Sequence, residues 1–216
     1  MKFYETVLLK CLLLFICYIG FLVPLVLSLL FFFPEIIVYD LMLIAVDLSF
    51  IICIFLGIKF LKSKPLTYSY SHSSLLFFLI FVILTIVWFV FSPMFTIYQK
   101  NWSVDLHFNF NKLTDLTTYP TFFKGYKIFR VLLLGPVLEE IFYRRIILSS
   151  LLEKYSVYFS ILLSSLLFSA GHVDFDYSFV FLIFGIILGL AYWKTKNLYL
   201  TIVLHIFINF LTLFFI

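Results

Sequence analysis

The chain has 216 residues, of which 64% are hydrophobic and only 12% are charged, and its mean hydropathy is +1.17. A soluble globular domain is about 45 to 50% apolar, so this composition indicates an integral membrane protein instead. Its net charge of +4 is expected to set membrane orientation. Because no basic stripe with interleaved aromatic residues occurs, a nucleic-acid partner is not expected.

The three cysteines are Cys11, Cys17 and Cys53, and each lies inside an apolar run without metal-ligand spacing. Neither a disulfide framework nor a zinc finger is predicted from this pattern. We expect all three to be small residues of the core.

Seven apolar runs are predicted to span the membrane, whose ~30 Å hydrocarbon core takes about 20 helical residues to cross. They cover about 11–33, 37–58, 75–98, 126–152, 156–172, 178–193 and 198–216. The first is expected to be retained, since its apolar core is not followed by a small-residue cleavage site. A polar loop or surface-lying segment is predicted over about 99–125. The predicted fold is therefore all-α, a polytopic membrane protein with a single domain over residues 1–216 and no soluble appendage.

The basic residues predict how these spans are oriented. With the N-terminus inside, ten Lys or Arg residues fall at inner ends and five at outer ends. This bias predicts a cytoplasmic N-terminus and an outer C-terminus.

Two polar or small-residue features lie within predicted spans. Asp47 is in the middle of the second span, where it is expected either to line a cavity or to bond a neighbouring Ser or Tyr. Gly185 and Gly189 have the small-xxx-small spacing that allows helices to approach closely, so they are interpreted as packing residues.

The fourth span carries the most unusual sequence, Gly135-Pro-Val-Leu-Glu-Glu-Ile-Phe-Tyr-Arg-Arg145. An ionisable side chain at the bilayer centre costs roughly 3 kcal/mol, so charges here indicate a functional site. Glu140 and Arg144 are four residues apart and are expected to pair on one helix face. Glu139 points about 100° away and needs a partner on another helix. Pro136, which lacks a backbone donor, is expected to loosen this helix.

Polar partners for Glu139 occur on two later spans. If the fourth and fifth spans form a hairpin near Lys154, then Glu139 lies fifteen residues before that turn and His172 lies seventeen after Tyr155, at a similar depth. His205 and Asn209 share one face of the seventh span. Simple helical rise places His205 about 10 Å lower than Glu139, so tilt or unequal helix lengths must close that gap.

These motifs, in this order, resemble the CPBP family, which contains type II CAAX prenyl proteases and related bacterial bacteriocin-processing or immunity (Abi) proteins. The resemblance covers about residues 126–216 and places the active site among the fourth, fifth and seventh spans. It implies an intramembrane endopeptidase in which Glu139 takes a proton from water, neutral His172 holds that water, and His205 and Asn209 stabilise the oxyanion. Glu140 and Arg144 would orient the site as a buried pair. No cofactor is expected, and zinc held by Glu139, His172 and His205 is the alternative.

Other readings of the same residues differ in class. The polar residues could be structural locks, or the chain could be a catalytically silent binding or immunity protein that sequesters a peptide. A small transporter is disfavoured, since paired broken helices are not detected in two halves. The marks of other intramembrane proteases, GxGD and GxSG, do not occur. Twelve Lys against three Arg, with abundant Phe and Ile, hint at an AT-rich bacterial genome, so the expected partners are the cell membrane and a peptide precursor rather than a prenylated tail.

Overall fold

In the computed structural model of the protein, residues 7–20, 23, 35–61, 79, 121–172 and 178–215 are described. The regular elements in these ranges are all helical, which confirms the all-α class. The first two are α1 (Val7–Gly20) and α2 (Glu35–Leu61). Nearly all of the predicted third span, and the predicted outer loop as far as residue 120, lie outside the described residues.

A continuous helical segment runs from residue 121 to residue 152, and we call it the motif helix. It consists in order of α3 (Thr121–Phe129), π1 (Arg130–Leu134), α4 (Gly135–Glu140), π2 (Ile141–Leu148) and α5 (Ser149–Leu152). Wide π turns therefore flank α4 on both sides, in line with the loosening expected at Pro136. The loop predicted to extend to residue 125 is wrong at its end, because the helix begins at Thr121. In the sequence, Pro120 stands directly before this start, where proline is well tolerated.

Three further helices complete the described chain: α6 (Val157–Ala170), α7 (Ser178–Thr195) and α8 (Leu198–Phe215). Helix α6 begins at a serine cap, where the Ser156 hydroxyl accepts a hydrogen bond from the Phe159 N–H. The turn from α7 to α8 is tight. Lys196 has a φ of 53° there, and the Asn197 side chain accepts a hydrogen bond from the Leu200 N–H at the start of α8.

The surface of the bundle is apolar and much of its polar content is buried. Exposed side chains include Phe55, Tyr158 and Phe179, which are 68%, 86% and 69% exposed. The fully buried side chains, by contrast, include charged and hydroxyl groups, among them Glu140, Arg144, Ser160, Ser164, Ser165 and Thr201. This arrangement is typical of a protein that faces lipid. Lipid offers polar groups no hydrogen-bond partners, so those groups lie inside the bundle and apolar side chains lie outside.

Helix length supports membrane crossing only in part. Within the described ranges, Ser178–Thr195 is the one helix that is both long and apolar enough to cross a bilayer, and Val7–Gly20, Val157–Ala170 and Leu198–Thr212 are shorter apolar helices. The count of seven spans therefore stays a prediction.

An aromatic cluster packs the motif helix against its neighbours. Phe50 of α2 stacks near Tyr18, with ring centroids 4.5 Å apart, and meets the Phe142 ring edge-on at 5.5 Å. Tyr143 contacts the Phe168 ring of α6 at 5.3 Å. These contacts join four helices around the segment that carries the carboxylates.

Small residues bring α6 and α7 together, as their spacing predicted. A Cβ atom at Gly185 would lie 3.0 Å from the Ser165 Cβ, and one at Gly189 would lie 3.1 Å from a methyl carbon of Ile161. The packing interpretation of these glycines is confirmed.

The cysteine prediction is correct for two of three residues. Cys11 and Cys53 are fully buried, whereas Cys17 is exposed and lies on the outer face of α1. Cys17 was expected in the core because an apolar run alone does not say which face of a helix turns inward.

Candidate active site

Glu140 and Arg144 form a sealed ion pair within the motif helix. The Arg144 Nε lies 3.2 Å from the Glu140 Oε2, and both side chains are completely buried. The pair is close but poorly aligned, since neither atom meets the angular requirements of a hydrogen bond. The guanidinium also lies 5.0 Å from the centre of the Phe168 ring, where a cation–π interaction adds to its stabilisation.

Glu139 points away from that pair and faces His172, which lies two residues after the end of α6. The His172 Nε2 lies 3.8 Å from the Glu139 Oε2. Its other ring nitrogen, Nδ1, lies 2.8 Å from the Phe168 carbonyl oxygen. A carbonyl can only accept, so Nδ1 carries the hydrogen and the neutral ring presents Nε2 to Glu139 as an acceptor.

His205 of α8 bridges the two glutamates. Its Nδ1 lies 3.1 Å from the Glu140 Oε1, and its Nε2 lies 3.8 Å from the Glu139 Oε2. The depth gap expected from simple helical rise is therefore closed. The same Glu139 oxygen is approached by both imidazoles, and it makes no hydrogen bond to any described residue.

Exposure divides the cluster into an open and a closed part. The side chains of Glu139 and His172 are 14% and 24% exposed. His205 is 4% exposed, and the Glu140–Arg144 pair is sealed. Only the open part can meet a water molecule and a substrate without a rearrangement of the helices.

Asn209 lies one turn after His205, on the same face of α8. Its Nδ2 donates a hydrogen bond of 2.8 Å to the Val131 carbonyl oxygen in π1. The structure therefore brings Asn209 to the motif helix, but its hydrogen bond is made to the backbone and not to the glutamates or histidines.

A second polar cluster was not anticipated as a unit. The Asp47 carboxylate of α2 accepts from the Arg130 Nε at 3.0 Å and from the Tyr126 hydroxyl at 2.5 Å. Of the two alternatives open for Asp47, bonding to a Tyr is confirmed. Arg130, which the charge count places at the outer end of a span, is paired with Asp47 of α2.

The cluster contains the ligand types that zinc prefers, one carboxylate oxygen and two imidazole nitrogens around one point. The Glu139 Oε2 lies 3.8 Å from the Nε2 atom of each histidine. Among the described residues, no group of three or more His, Cys, Asp or Glu side chains is disposed to hold a metal ion.

Comparison with known proteins points to one family. Residues 122–211 match the model of the family described as "Type II CAAX prenyl endopeptidase Rce1-like". The chain is 34% identical over 77 residues to a Bacillus subtilis (strain 168) protein named "Putative membrane peptidase YdiL", covering 36% of this chain and 32% of that protein. It is 38% identical over 88 residues to the "Membrane-embedded CAAX protease MroQ" of Staphylococcus aureus (strain USA300), covering 38% and 36%. The chain thus spans about a third of the length of these relatives, and no solved structure matches it.

The range matched by the family model includes the residues of the candidate active site. It contains every residue of the Glu139 cluster and also Arg130, Val131 and Asn209, and it begins within the first turn of the motif helix. Residues 122–211 are thus similar to the Rce1-like type II CAAX prenyl endopeptidase family.

Proposed function

We propose that the protein is an intramembrane endopeptidase that hydrolyses peptide bonds with a water activated by Glu139 and His172. The observation that carries this proposal is the meeting of two acceptors 3.8 Å apart, the His172 Nε2 and the Glu139 Oε2, which is buried and makes no hydrogen bond to a described residue. Two acceptors repel unless a donor lies between them. Water has two hydrogens, so it can donate one to each and direct its oxygen lone pair at a peptide carbonyl.

The reaction then needs no group beyond those of the cluster and the substrate. The water oxygen attacks the carbonyl carbon, while Glu139 takes the proton as general base. A tetrahedral intermediate forms, with negative charge on the former carbonyl oxygen. Glu139 next returns the proton to the leaving amide nitrogen, and the C–N bond breaks to give an acid and an amine.

His205 is proposed to stabilise that negative charge. Since its Nδ1 hydrogen goes to Glu140, its Nε2 carries a hydrogen only when the ring is doubly protonated. In that form Nε2 can donate to the oxyanion, and this type of stabilisation is often the largest catalytic contribution. The side-chain amide of Asn209 donates to the Val131 carbonyl oxygen, so we assign the oxyanion to His205 alone.

Glu140 and Arg144 are proposed to orient His205 from the closed part of the cluster. Glu140 fixes the hydrogen of the imidazole on Nδ1, and Arg144 balances the Glu140 charge. Neither side chain is exposed, so neither is expected to touch the substrate.

The proposed setting is a bacterial cell membrane crossed by about seven spans, with the N-terminus in the cytoplasm and residues 1–216 forming one membrane domain. The substrates are proposed to be membrane-embedded or lipidated peptides, such as precursors of secreted signals or bacteriocins. Support comes from the composition, the positive charge bias and the family of residues 122–211.

The decisive experiment compares membrane peptides in cells that express the wild-type protein, Glu139→Gln or the control Glu153→Gln. Glu153 is an exposed carboxylate at the turn after the motif helix, so this control changes a carboxylate outside the cluster. Full-length precursors should accumulate, and their products should disappear, in the Glu139→Gln cells alone. If the wild-type protein binds peptides but leaves them uncut, the silent immunity or binding alternative is correct.

A further inference from the structure

The backbone hydrogen bonds of π1 leave one carbonyl without a backbone donor. At the end of π1 the Gly135 N–H bonds to the Arg130 carbonyl, five residues back. Gly135 is therefore not the donor that the Val131 carbonyl would have in an α-helix, where bonds run four residues back. The donor that a continued π register would supply is residue 136, which is a proline without an N–H.

Val131 thus lacks a backbone partner in either register, and the side chain of Asn209 takes that place. Its Nδ2 lies 2.8 Å from the Val131 oxygen, although the two residues are 78 positions apart. A carbonyl without a partner is costly in a membrane, where water cannot replace the missing donor.

We propose that Asn209 is a positioning residue that supplies the hydrogen bond missing at Pro136 and thereby holds π1 and α4 in the conformation that places Glu139. This role differs from that of an oxyanion donor, because the Val131 bond acts on the backbone and not on the substrate. The proposal concerns the fold of the site. Its effect on thermal stability can therefore be tested whether or not the protein is a peptidase.

The same helix holds the motif helix at a second place. One turn before Asn209, His205 bonds to Glu140. Helix α8 is therefore hydrogen-bonded to the motif helix at Val131 and at Glu140. In the sequence, Glu139 lies between these two residues. Loss of the Asn209–Val131 bond is expected to let π1 move, while the His205–Glu140 bond keeps the end of α4 in place.

The junction of π1 and α4 leaves little space for a side chain at Gly135. A Cβ atom there would lie 2.9 Å from the Arg130 carbonyl oxygen and 3.7 Å from the Glu139 Oε1. A side chain at residue 135 would therefore meet the carbonyl oxygen that accepts from its own N–H, close to the Glu139 carboxylate. A shift of π1 would be transmitted to Glu139 over a short distance.

The test restores the missing donor by mutation. Asn209→Leu keeps the approximate size of the side chain and removes its N–H groups. Pro136→Ala adds a backbone N–H, which allows either register to supply Val131, from residue 136 or from Gly135. The purified protein in detergent is compared as wild type, Asn209→Leu, Pro136→Ala and the double variant, with Thr212→Val as a control that removes a hydrogen bond within α8 itself.

Asn209→Leu is expected to lower the Tm by roughly 2 to 4 °C, the shift typical for one hydrogen bond in a protein of this size. The double variant should melt within about 1 °C of Pro136→Ala, and its cleavage rate should recover to that of Pro136→Ala. In the double variant, protection from hydrogen exchange of the backbone amide introduced at position 136 would identify the new bond. Thr212→Val should change the Tm less than Asn209→Leu does.

Two results would overturn the proposal. If the losses from the two substitutions simply add in the Tm, then Val131 is not what Asn209 satisfies. If the double variant regains the Tm but not the cleavage rate, then Asn209 acts on the substrate and is a catalytic residue. Should Asn209→Leu not fold, the folded yield of the double variant decides in the same way. Should wild-type protein cleave no peptide, the proposed function fails, and the Tm comparison alone decides this proposal.

Discussion

The Nε2 atom of His172 lies 3.8 Å from the Oε2 atom of Glu139, while its Nδ1 is held by the Phe168 carbonyl. In the neutral ring this second bond places the hydrogen on Nδ1, so a lone pair of Nε2 faces the carboxylate. A histidine whose Nδ1 had no partner could turn its hydrogen toward Glu139 and close the site with a direct hydrogen bond. The Phe168 carbonyl therefore keeps both Glu139 and His172 as acceptors, to which one water molecule can donate its two hydrogens.

Glu139→Gln is expected to abolish peptide cleavage without loss of stability. The glutamine amide can donate directly to the His172 Nε2, so the folded state gains a hydrogen bond while the base is lost. General base catalysis contributes about 10²- to 10⁴-fold, and the cleavage rate should fall by at least that factor. The rate and the Tm are measured on purified protein, with Glu153→Gln as the control. A Glu139→Gln variant as active as the wild type would exclude Glu139 as the base.

Arg144→Ala is expected to lower the yield of folded protein as well as activity. It leaves the Glu140 carboxylate completely buried without its cation, and breaking such a pair typically costs about 3 to 5 kcal/mol. Removal of both charges, in Glu140→Gln with Arg144→Met, should restore part of the yield, because no lone charge is then buried.

The measurement for this pair is the monodisperse fraction in detergent and the Tm of what remains. If Arg144→Ala folds as well as Arg145→Ala, the neighbouring arginine outside the pair, then the buried pair does not stabilise the fold.

The placement of Glu139 beside His172 could be predicted from the sequence, because both lie a similar number of residues from one turn. The depth of His205 could not. The wide π turns of residues 141–148 contain more residues for each unit of length, which brings Glu139 nearer to the inner end and so nearer to His205. Pro136 signals a loosened helix, but no residue in 141–148 marks this second π segment.

Contacts between helices that are distant in the chain also cannot be predicted from this sequence alone. Asp47 and Arg130 are 83 positions apart, and helical rise gives depth but not the direction in which a helix is rotated. Arg130 was assigned to the outer ends of spans for its charge alone. The signal that could have placed it is its position on the motif helix, nine residues before Glu139.

Asp47→Asn is expected to destabilise the protein by about 1 to 3 kcal/mol, the range for a charged hydrogen bond whose partner is left behind. The substitution keeps the size of the side chain but removes the charge that holds Arg130, and only 5% of the Asp47 side chain is exposed. The control is Ser49→Ala, which removes a hydrogen bond to Ala45 within α2 itself. Equal Tm values for the two variants would show that the Asp47–Arg130 pair does not stabilise the packing of α2 on the motif helix.

The proposed topology is tested by cysteine labelling in a background with Cys11, Cys17 and Cys53 replaced. A single cysteine at Ser103 should react with a probe that cannot cross the membrane, and one at Ser63 should react only after the cells are permeabilised. The expectation rests on the excess of basic residues at the predicted inner ends. Labelling of Ser63→Cys but not Ser103→Cys in intact cells would establish the inverted orientation.

The last prediction separates the two mechanisms that the cluster allows. Catalytic zinc needs three protein ligands at about 2.0 to 2.2 Å and an open position. A water activated by Glu139 and His172 needs only the pair of acceptors. We therefore expect purified enzyme to keep its cleavage rate after treatment with a chelator, in protein that elemental analysis shows to be free of zinc. A matched zinc peptidase treated in parallel should lose its activity. If instead the enzyme contains one zinc per chain, loses activity when the zinc is removed and regains it when zinc returns, then Glu139, His172 and His205 are metal ligands and the water is activated by the metal.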